Sequence, residues 1–515
     1  MSLKLLKSTA IVSAMTLVSR VSGLVRDVIM ANVVETGAVS DAFFVAFRIP
    51  NFLRRIFGEG AFSQAFVPVY AELTEQNTQE AKQFVASTSG RLGFIVFLLS
   101  VFGVIFAPWV IRLFAPGYVE EPEKFATTVE ALRIMFPYLF FISLVAMSGA
   151  MLNTLNRFAV PAVTPVLLNL CFIVTLLVFV QNSQDAAQTL AIGVMAAGGI
   201  QLLFQLPALK AEGVLVRPTL KKNAYTSKVF KLMVPAMFGV SVTQINTLVN
   251  TILASFLVSG SVSWLYYSDR LMEFPVAIVG VALATVVLPG LSKERQSGTV
   301  ESFSSMIDWS MRWVVMIALP AAVALAMLSV PLLATMFQYN AFKESDVMQA
   351  SISLVAYSVG VLAFVMIKVL APGFYAQQDI KTPVKIAAFA VFCNIVLSLL
   401  LIGPLKHAGL ALAISLAAWI NAGLLGLTLW RKKIYHPKQG WALFLLRILL
   451  AVLVMSAVIV AFRGEDDVWL NASLGGRLWQ LVQVISFAGS AYFIVLYVLG
   501  LRPHQMLIGR KNNHD

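Results

Sequence analysis

Charge is scarce in this sequence. Asp, Glu, Lys and Arg together make up 12% of its 515 residues, about half the share in a soluble globular domain. With 59% of residues hydrophobic and a mean hydropathy of +0.83, a soluble fold is excluded. Histidine and cysteine are rarer still, at 4 and 2 residues. His407, His436, His504 and His514 lie outside the apolar runs, so no haem or metal cluster is suggested. Cys171 and Cys393 each sit inside such a run without metal-ligand spacing, and read as packing thiols. The polar-apolar alternation of a transmembrane β-barrel is missing. So are HExxH, a P-loop, a nucleophile elbow and an aspartate-rich loop that could hold magnesium. No cofactor, metal or catalytic residue is implied. Any movement of a substrate must draw on the membrane potential, an ion gradient, or substrate supply and removal.

What the chain has in quantity is apolar runs of about 20 residues, the length that crosses a bilayer as helix. The fold class is all-α and polytopic, with about fourteen spans. Their limits fall near 8–34, 41–70, 92–112, 130–152, 159–181, 187–209, 230–257, 264–291, 311–337, 350–375, 384–402, 408–430, 441–462 and 478–501. The N-terminus resembles a signal peptide, but Arg20 interrupts it without a convincing cleavage site, so it reads as a retained first span. The net charge of +13 does not point to nucleic acid, because the basic residues sit in short loops. They concentrate at Lys210 to Lys231, Arg431 to Lys438 and the C-terminal tail, while Gln181–Gln188 and Val258–Ser263 are bare. That bias places both termini in the cytoplasm.

The second half of the chain echoes the first at an offset near 222 residues. NTLNRFAVPAV (Asn153–Val163) lies over YAQQDIKTPVK (Tyr375–Lys385), matching Pro161 with Pro383 and Arg157 with Asp379, and Cys171 falls on Cys393. Val39-Ser40 matches Val262-Ser263, and Pro68 falls near Pro289. The expected organisation is a six-helix lobe over 1–215, a second over 216–436, and two extra helices with a cytoplasmic tail over 437–515. An even number of spans per repeat keeps orientation, so the halves are expected to be parallel repeats with a cavity between them.

The ionisable residues that interrupt the runs cluster in spans 1, 2 and 8. Span 1 carries Arg20, Arg26 and Asp27, with Arg20 and Asp27 on one helix face and Arg26 on another. Span 2 carries Asp41, Arg48, Asn51, Arg54, Arg55 and Glu59, with Arg55 and Glu59 spaced for an ion pair and Pro50 able to open the backbone. Span 8 adds Ser263, Asp269, Arg270 and Glu273. Charges at membrane depth are costly and face a wet cavity or one another. Six arginines against five carboxylates could form a purely structural ladder of ion pairs. The residue type favours function instead: every cation here is arginine, whose planar fork binds phosphate bidentately and stays charged. Carboxylates that pair with those arginines when substrate is absent would make gate and substrate compete. Lys368 reads as part of a bend, Asn246 with Asn250 as interhelical bonding or a hinge, Asn394 with Thr243 as a marginal cation site, and Arg447 as snorkelling; all are weaker signals.

SRVSGLVRD, DAFFVAFRIPNFLRRIFGEGAFSQAFVP, GSVSWLYYSDRLMEFP and KVLAPGFYAQQDIKTPVKIA together resemble the MurJ (MviN) family of lipid II flippases, along essentially the whole chain. The resemblance implies the multidrug/oligosaccharidyl-lipid/polysaccharide exporter superfamily, fourteen spans and alternating access. It also implies an undecaprenyl-diphosphate-linked disaccharide-pentapeptide as substrate. Carried over by motif, the substrate-binding arginines are Arg20, Arg26, Arg54 and Arg270. Asp41 and Glu273 match other sensitive positions, and Asp27, Asn51, Glu59 and Ser263 are further candidates. Arg55 and Asp269 join these as gating or cavity-support residues. The two extra helices would form a groove for the lipid tail. A sodium site known in some members needs an acidic residue in span 7 that is absent here, so sodium coupling is left open.

The implied setting is the bacterial inner membrane, with lipid II and membrane lipids as partners, contact with cell-wall synthesis or division proteins open, and a monomer expected. Three other readings compete. A drug/cation antiporter of the same superfamily should favour buried carboxylates and aromatics over arginines. A membrane enzyme of lipid-linked sugars needs metal-binding carboxylates on its loops. A scaffold of the cell-wall machinery would use the arginines for structure alone.

Overall fold

The computed structural model describes residues 3–55, 60–297 and 300–501. Every regular element among them is helical. In chain order these are α1 (Leu3–Val33), α2 (Ala38–Arg54), α3 (Ala61–Gln76), α4 (Thr78–Ile105), α5 (Ala107–Phe114) and α6 (Pro122–Met135). There follow α7 (Tyr138–Thr154), α8 (Ala159–Val174), α9 (Ala186–Ala211), α10 (Ala224–Ala254), α11 (Ser261–Ser297) and α12 (Val300–Met327). The chain ends with α13 (Ser329–Phe337), α14 (Glu344–Tyr375), α15 (Lys381–Arg431), α16 (Trp441–Arg463), α17 (Asp466–Asn471) and α18 (Leu474–Val498).

Among the described residues, 9 helices are long and apolar enough to cross a membrane. They expose large apolar side chains such as Phe102, Leu400, Val460 and Ile494, which water would penalise and a lipid chain would not. One of the nine, α15, is 51 residues long and folds back at Lys406 (φ 50°, ψ −130°), just after Gly403 and Pro404. It thereby carries both of the runs expected at 384–402 and 408–430. The helices holding the charged residues of spans 1, 2 and 8 are outside the nine. Within the run expected at 41–70, α2 ends at Arg54 and α3 begins at Ala61, and residues 56–59 between them lie outside the described residues. α2 runs through Pro50, which has no N–H to give the Ala46 carbonyl one turn earlier.

Duplication is visible in the helix limits. α12, α13, α14 and α15 each begin 222 residues after α4, α5, α6 and α8. Arg157 and its match Asp379 both form ion pairs, with the residue just past the end of α9 and of α15 respectively, but with the signs exchanged. Arg157 Nε meets Glu212 at 2.6 Å, and Asp379 meets Lys432 Nζ at 2.6 Å. The hydrogen bond from Lys432, with two from Thr382, holds the Asp379 carboxyl well below its usual range. A depressed folded-state pKa means this pair favours the fold above the ordinary carboxylate range, and the effect disappears as pH falls through the lowered value.

The described chain forms two compact units. One comprises 1–263 with 339–342, the other 264–338 with 343–515. In the first, α10 packs against α3 although it is the counterpart of α1, and a stacked ladder of Phe62, Phe66, Tyr70 and Phe84 forms part of the core.

In the second unit, Asp308 of α12 accepts from Trp441 Nε1 (2.7 Å), the Lys438 amide (3.0 Å) and Arg312 Nε (2.9 Å), which fastens the start of α16. Arg477 of α18 is buried and ties α17 and α18 to the C-terminal end of α13. It donates to the carbonyls of Trp469 (2.7 Å), Leu470 (2.8 Å), Ala334 (2.8 Å) and Gln338 (3.0 Å), and to Gln338 Oε1 (2.9 Å). Trp469 and Leu470 lie in the last turn of α17, where carbonyls lack intrahelical donors, while the Ala334 carbonyl also accepts from the Gln338 amide at 3.2 Å. Arg477→Met should cost about 2–3 kcal/mol, read as a lower thermal midpoint of the purified protein in detergent; an unchanged midpoint would refute that role.

Candidate functional site

The charged residues of α1 and α2 do not form one ladder; they separate into small clusters. On α1, Arg26 and Asp27 are both buried. Helical periodicity put them on different faces, yet the long guanidinium swings sideways to its neighbour. Its Nε and NH2 reach Asp27 Oδ1 at 3.0 and 2.7 Å, while NH1 donates to Asn169 Oδ1 of α8 at 3.0 Å. The Phe172 ring lies 5.3 Å from Arg26 Cζ, within cation–π range. Asn169 is held from behind, its Nδ2 donating to the Ser19 carbonyl (3.1 Å) and Ser22 Oγ (3.0 Å). Arg20, on the same helix, is exposed and takes no part in this cluster.

Asn169 was legible only as one polar residue inside an apolar stretch. Asn169→Leu should leave Arg26 NH1 without its partner and cost about 1.5–3 kcal/mol, the worth of a hydrogen bond to a charged group. The thermal midpoint of the variant in detergent checks this, and an unchanged midpoint would count against that role.

A second cluster forms where α2 meets the start of α11. Asp41 is 1% exposed. Its carboxylate accepts from the Gly260 amide (2.8 Å), the Ser263 amide (2.9 Å) and Ser263 Oγ (2.7 Å). It therefore satisfies donors that the first turn of α11 cannot satisfy internally, at the end where the helix dipole favours a negative charge. Ser40 and Ser263, paired by the repeat, touch through their hydroxyls at 2.9 Å. Lys124, also buried, lies 3.5 Å from Asp41 and 3.6 Å from Glu121. It donates to Ser259 Oγ at 2.8 Å and sits over the Tyr118 ring at 4.1 Å. Sequence reasoning missed Lys124; the available signal was a basic residue on the side that the charge bias leaves nearly bare.

Further along α2, Arg48 donates to Thr251 Oγ1 (3.0 Å), and Arg54 Nε to Asn51 Oδ1 (3.2 Å). Arg55 donates to Gln244 Oε1 (3.2 Å); its expected partner Glu59 lies outside the described residues. Arg54 also faces a cavity of about 550 Å³ within the first unit, whose wall includes Ser63, Asn153, Thr164, Gln201 and Gln205. On α11, within the second unit, Arg270 contacts Glu273 (3.3 Å) and the Tyr266 hydroxyl (3.2 Å), with the Tyr266 ring at 5.0 Å; Asp269 is half-buried beside it. Lys368 donates to the Val276 carbonyl at 3.2 Å. Among the described residues no group of His, Cys, Asp or Glu is arranged to hold a metal ion.

A duplicated all-helical membrane protein with arginines tucked inside its apolar bundle belongs to the polytopic transporter class. The fold matches an inward-facing multidrug resistance MATE family transporter of the MOP superfamily with TM-score 0.66, over 82% of this chain and 98% of that one, at 14% identity. The chain belongs to the lipid II flippase MurJ family, whose profile matches residues 30–473. It is 44% identical over 510 residues to a Vibrio cholerae serotype O1 protein named "Probable lipid II flippase MurJ", covering 97% of each chain. It also matches the structure described as "Lipid II flippase MurJ, inward closed conformation" with TM-score 0.81, at 27% identity, over 95% of this chain and 98% of that one.

Proposed function

We propose that this protein is a lipid II flippase, carrying undecaprenyl-diphosphate-linked peptidoglycan precursor from the cytoplasmic to the periplasmic leaflet of the bacterial inner membrane by alternating access. The observation that carries the reading is Arg54: a guanidinium in the wall of a cavity of about 550 Å³, inside an apolar helical bundle, in a chain whose family model spans residues 30–473. A cation there can hold a diphosphate where water and lipid cannot.

In this reading Arg20, Arg26, Arg54 and Arg270 contact the diphosphate-sugar head group in turn. Asp27 and Asn169 hold Arg26 in place until the substrate's phosphate competes for it. Asp41, by capping α11, acts as the latch that closes one end of the path, with Ser263 and Lys124 as its partners. Asn51, Arg55, Glu59, Asp269 and Glu273 support the cavity and its gate. Both termini are cytoplasmic, the protein works as a monomer, and the two lobes over 1–215 and 216–436 alternate access while the helices after 437 guide the lipid tail. Coupling is to the membrane potential or an ion gradient. Chemistry on the substrate plays no part.

Depletion in living cells tests the reading. Lipid II should accumulate in the inner leaflet and become inaccessible to a membrane-impermeant enzyme added outside. If outer-leaflet lipid II stays at its normal level, the reading is wrong.

A further inference from the structure

The helices outside the repeat carry a cation that nothing in the chain neutralises. Arg447 lies six residues into α16, about 9 Å along the axis from Trp441. It is partly exposed, and its guanidinium has no hydrogen-bond or ion-pair partner among the described residues. The sequence explains why. No Asp or Glu occurs between Asp379 and Glu465, or between Asp467 and Asp515, so α16 and α18 hold no acid at all. Beside the guanidinium is the C-terminal end of α18. Gly500 stands there in the left-handed region at φ 83°, and a Cβ on it would lie 4.0 Å from Arg447 NH2. A helix C-terminus carries only a partial negative charge, so much of the cation's charge is left over.

A charge at membrane depth is costly without a partner, and the long side chain reaches toward the lipid–water boundary. Asp308 pins Lys438 and Trp441 at the start of α16, a basic and an aromatic residue of the kind that marks that boundary. A lipid phosphate is the anion available at this level. The helix itself selects the kind of lipid. Leu443, Leu446, Leu450, Leu453 and Val460 are all exposed, and their spacing puts them on one face of α16. Arg447 falls on the same face, four residues after Leu443 and three before Leu450. The stripe runs about 25 Å along the axis, well beyond the roughly 15 Å of hydrocarbon in one leaflet. Phospholipid acyl chains end at the middle of the bilayer. One long isoprenoid chain can follow the stripe past that point with its phosphate at Arg447.

We propose that Arg447 is a docking point for the diphosphate of the polyisoprenyl lipid, holding it against α16 before its head group enters the transport path. The leaflet is the one at the start of α16, cytoplasmic on the flippase reading above, on which this assignment rests. Arg447 acts as a point charge. With no carboxylate or amide to hold its fork, a lysine can do the same work, unlike at Arg26.

The test uses the full chain in phosphatidylcholine nanodiscs and one probe, undecaprenyl diphosphate with a photoreactive group on the isoprene unit next to the diphosphate. In wild type, cross-links should map to residues 443–450. They should fall about tenfold in Arg447→Gln, the worth of one charge-assisted bond, and persist in Arg447→Lys, with thermal midpoints unchanged. Excess unlabelled undecaprenyl diphosphate should displace the probe, and the same excess of phosphatidylglycerol should not. In a transport assay Arg447→Gln should raise KM and leave kcat near wild type, as expected for binding lost before the chemistry-free crossing step. Wild-type cross-links that lie elsewhere, or α16 cross-links that survive Arg447→Gln, overturn the assignment. So does displacement by phosphatidylglycerol, which makes Arg447 an ordinary phospholipid anchor, or a lower midpoint in Arg447→Gln, which makes it structural. Wild-type protein that cross-links to the probe nowhere along the chain overturns the flippase reading itself, a different result from these.

Discussion

Asp41→Ala should abolish lipid II transport and destabilise the protein by about 3 kcal/mol. Two losses combine. The first turn of α11 loses the carboxylate that accepts from Gly260 and Ser263, and Lys124 loses its closest buried counter-charge. The two can be separated. In Asp41→Ala/Lys124→Met the stranded charge is gone, so most of the stability should return while α11 stays uncapped and transport stays poor. Thermal midpoints with a transport assay on the three proteins give the comparison. If Asp41→Ala transports as well as wild type, the latch has no role in the cycle.

Arg26→Ala should lower transport by roughly a hundredfold or more, the size expected from losing a buried, hydrogen-bonded charge. Arg26→Lys should be nearly as damaging, since a single ammonium cannot reach both Asp27 and Asn169 in the geometry the planar fork provides. Because Arg26→Ala strands Asp27, the deciding variant is Arg26→Ala/Asp27→Asn. If Arg26 touches the diphosphate, this neutral pair folds and still fails to transport. If the arginine exists only to neutralise Asp27, transport returns.

The bilayer setting, the helical class and the repeat were legible from the sequence because each rests on long stretches. Apolar runs define the helices, and the 222-residue offset survives in the start points of α4, α5, α6 and α8 against α12, α13, α14 and α15. The charged residues were legible as a set, since an ionisable group in an apolar run stands out one residue at a time. Their partners were not. Arg26 and Asp27 are adjacent in sequence, and a face-by-face reading separated them; only side-chain reach joins them. Asp41 meets Ser263 across 222 residues, a contact that no local pattern encodes.

The central claim is that this chain moves lipid II across a bilayer. Purified protein reconstituted into liposomes with lipid II in both leaflets tests it most directly, under an imposed membrane potential or ion gradient, with an impermeant enzyme outside that cleaves the exposed head groups. The account predicts that wild-type protein brings the protected inner-leaflet pool out for cleavage, while Arg26→Ala/Asp27→Asn leaves that pool protected. A protected pool that stays intact with wild-type protein, under potentials and gradients of either sign, would contradict it.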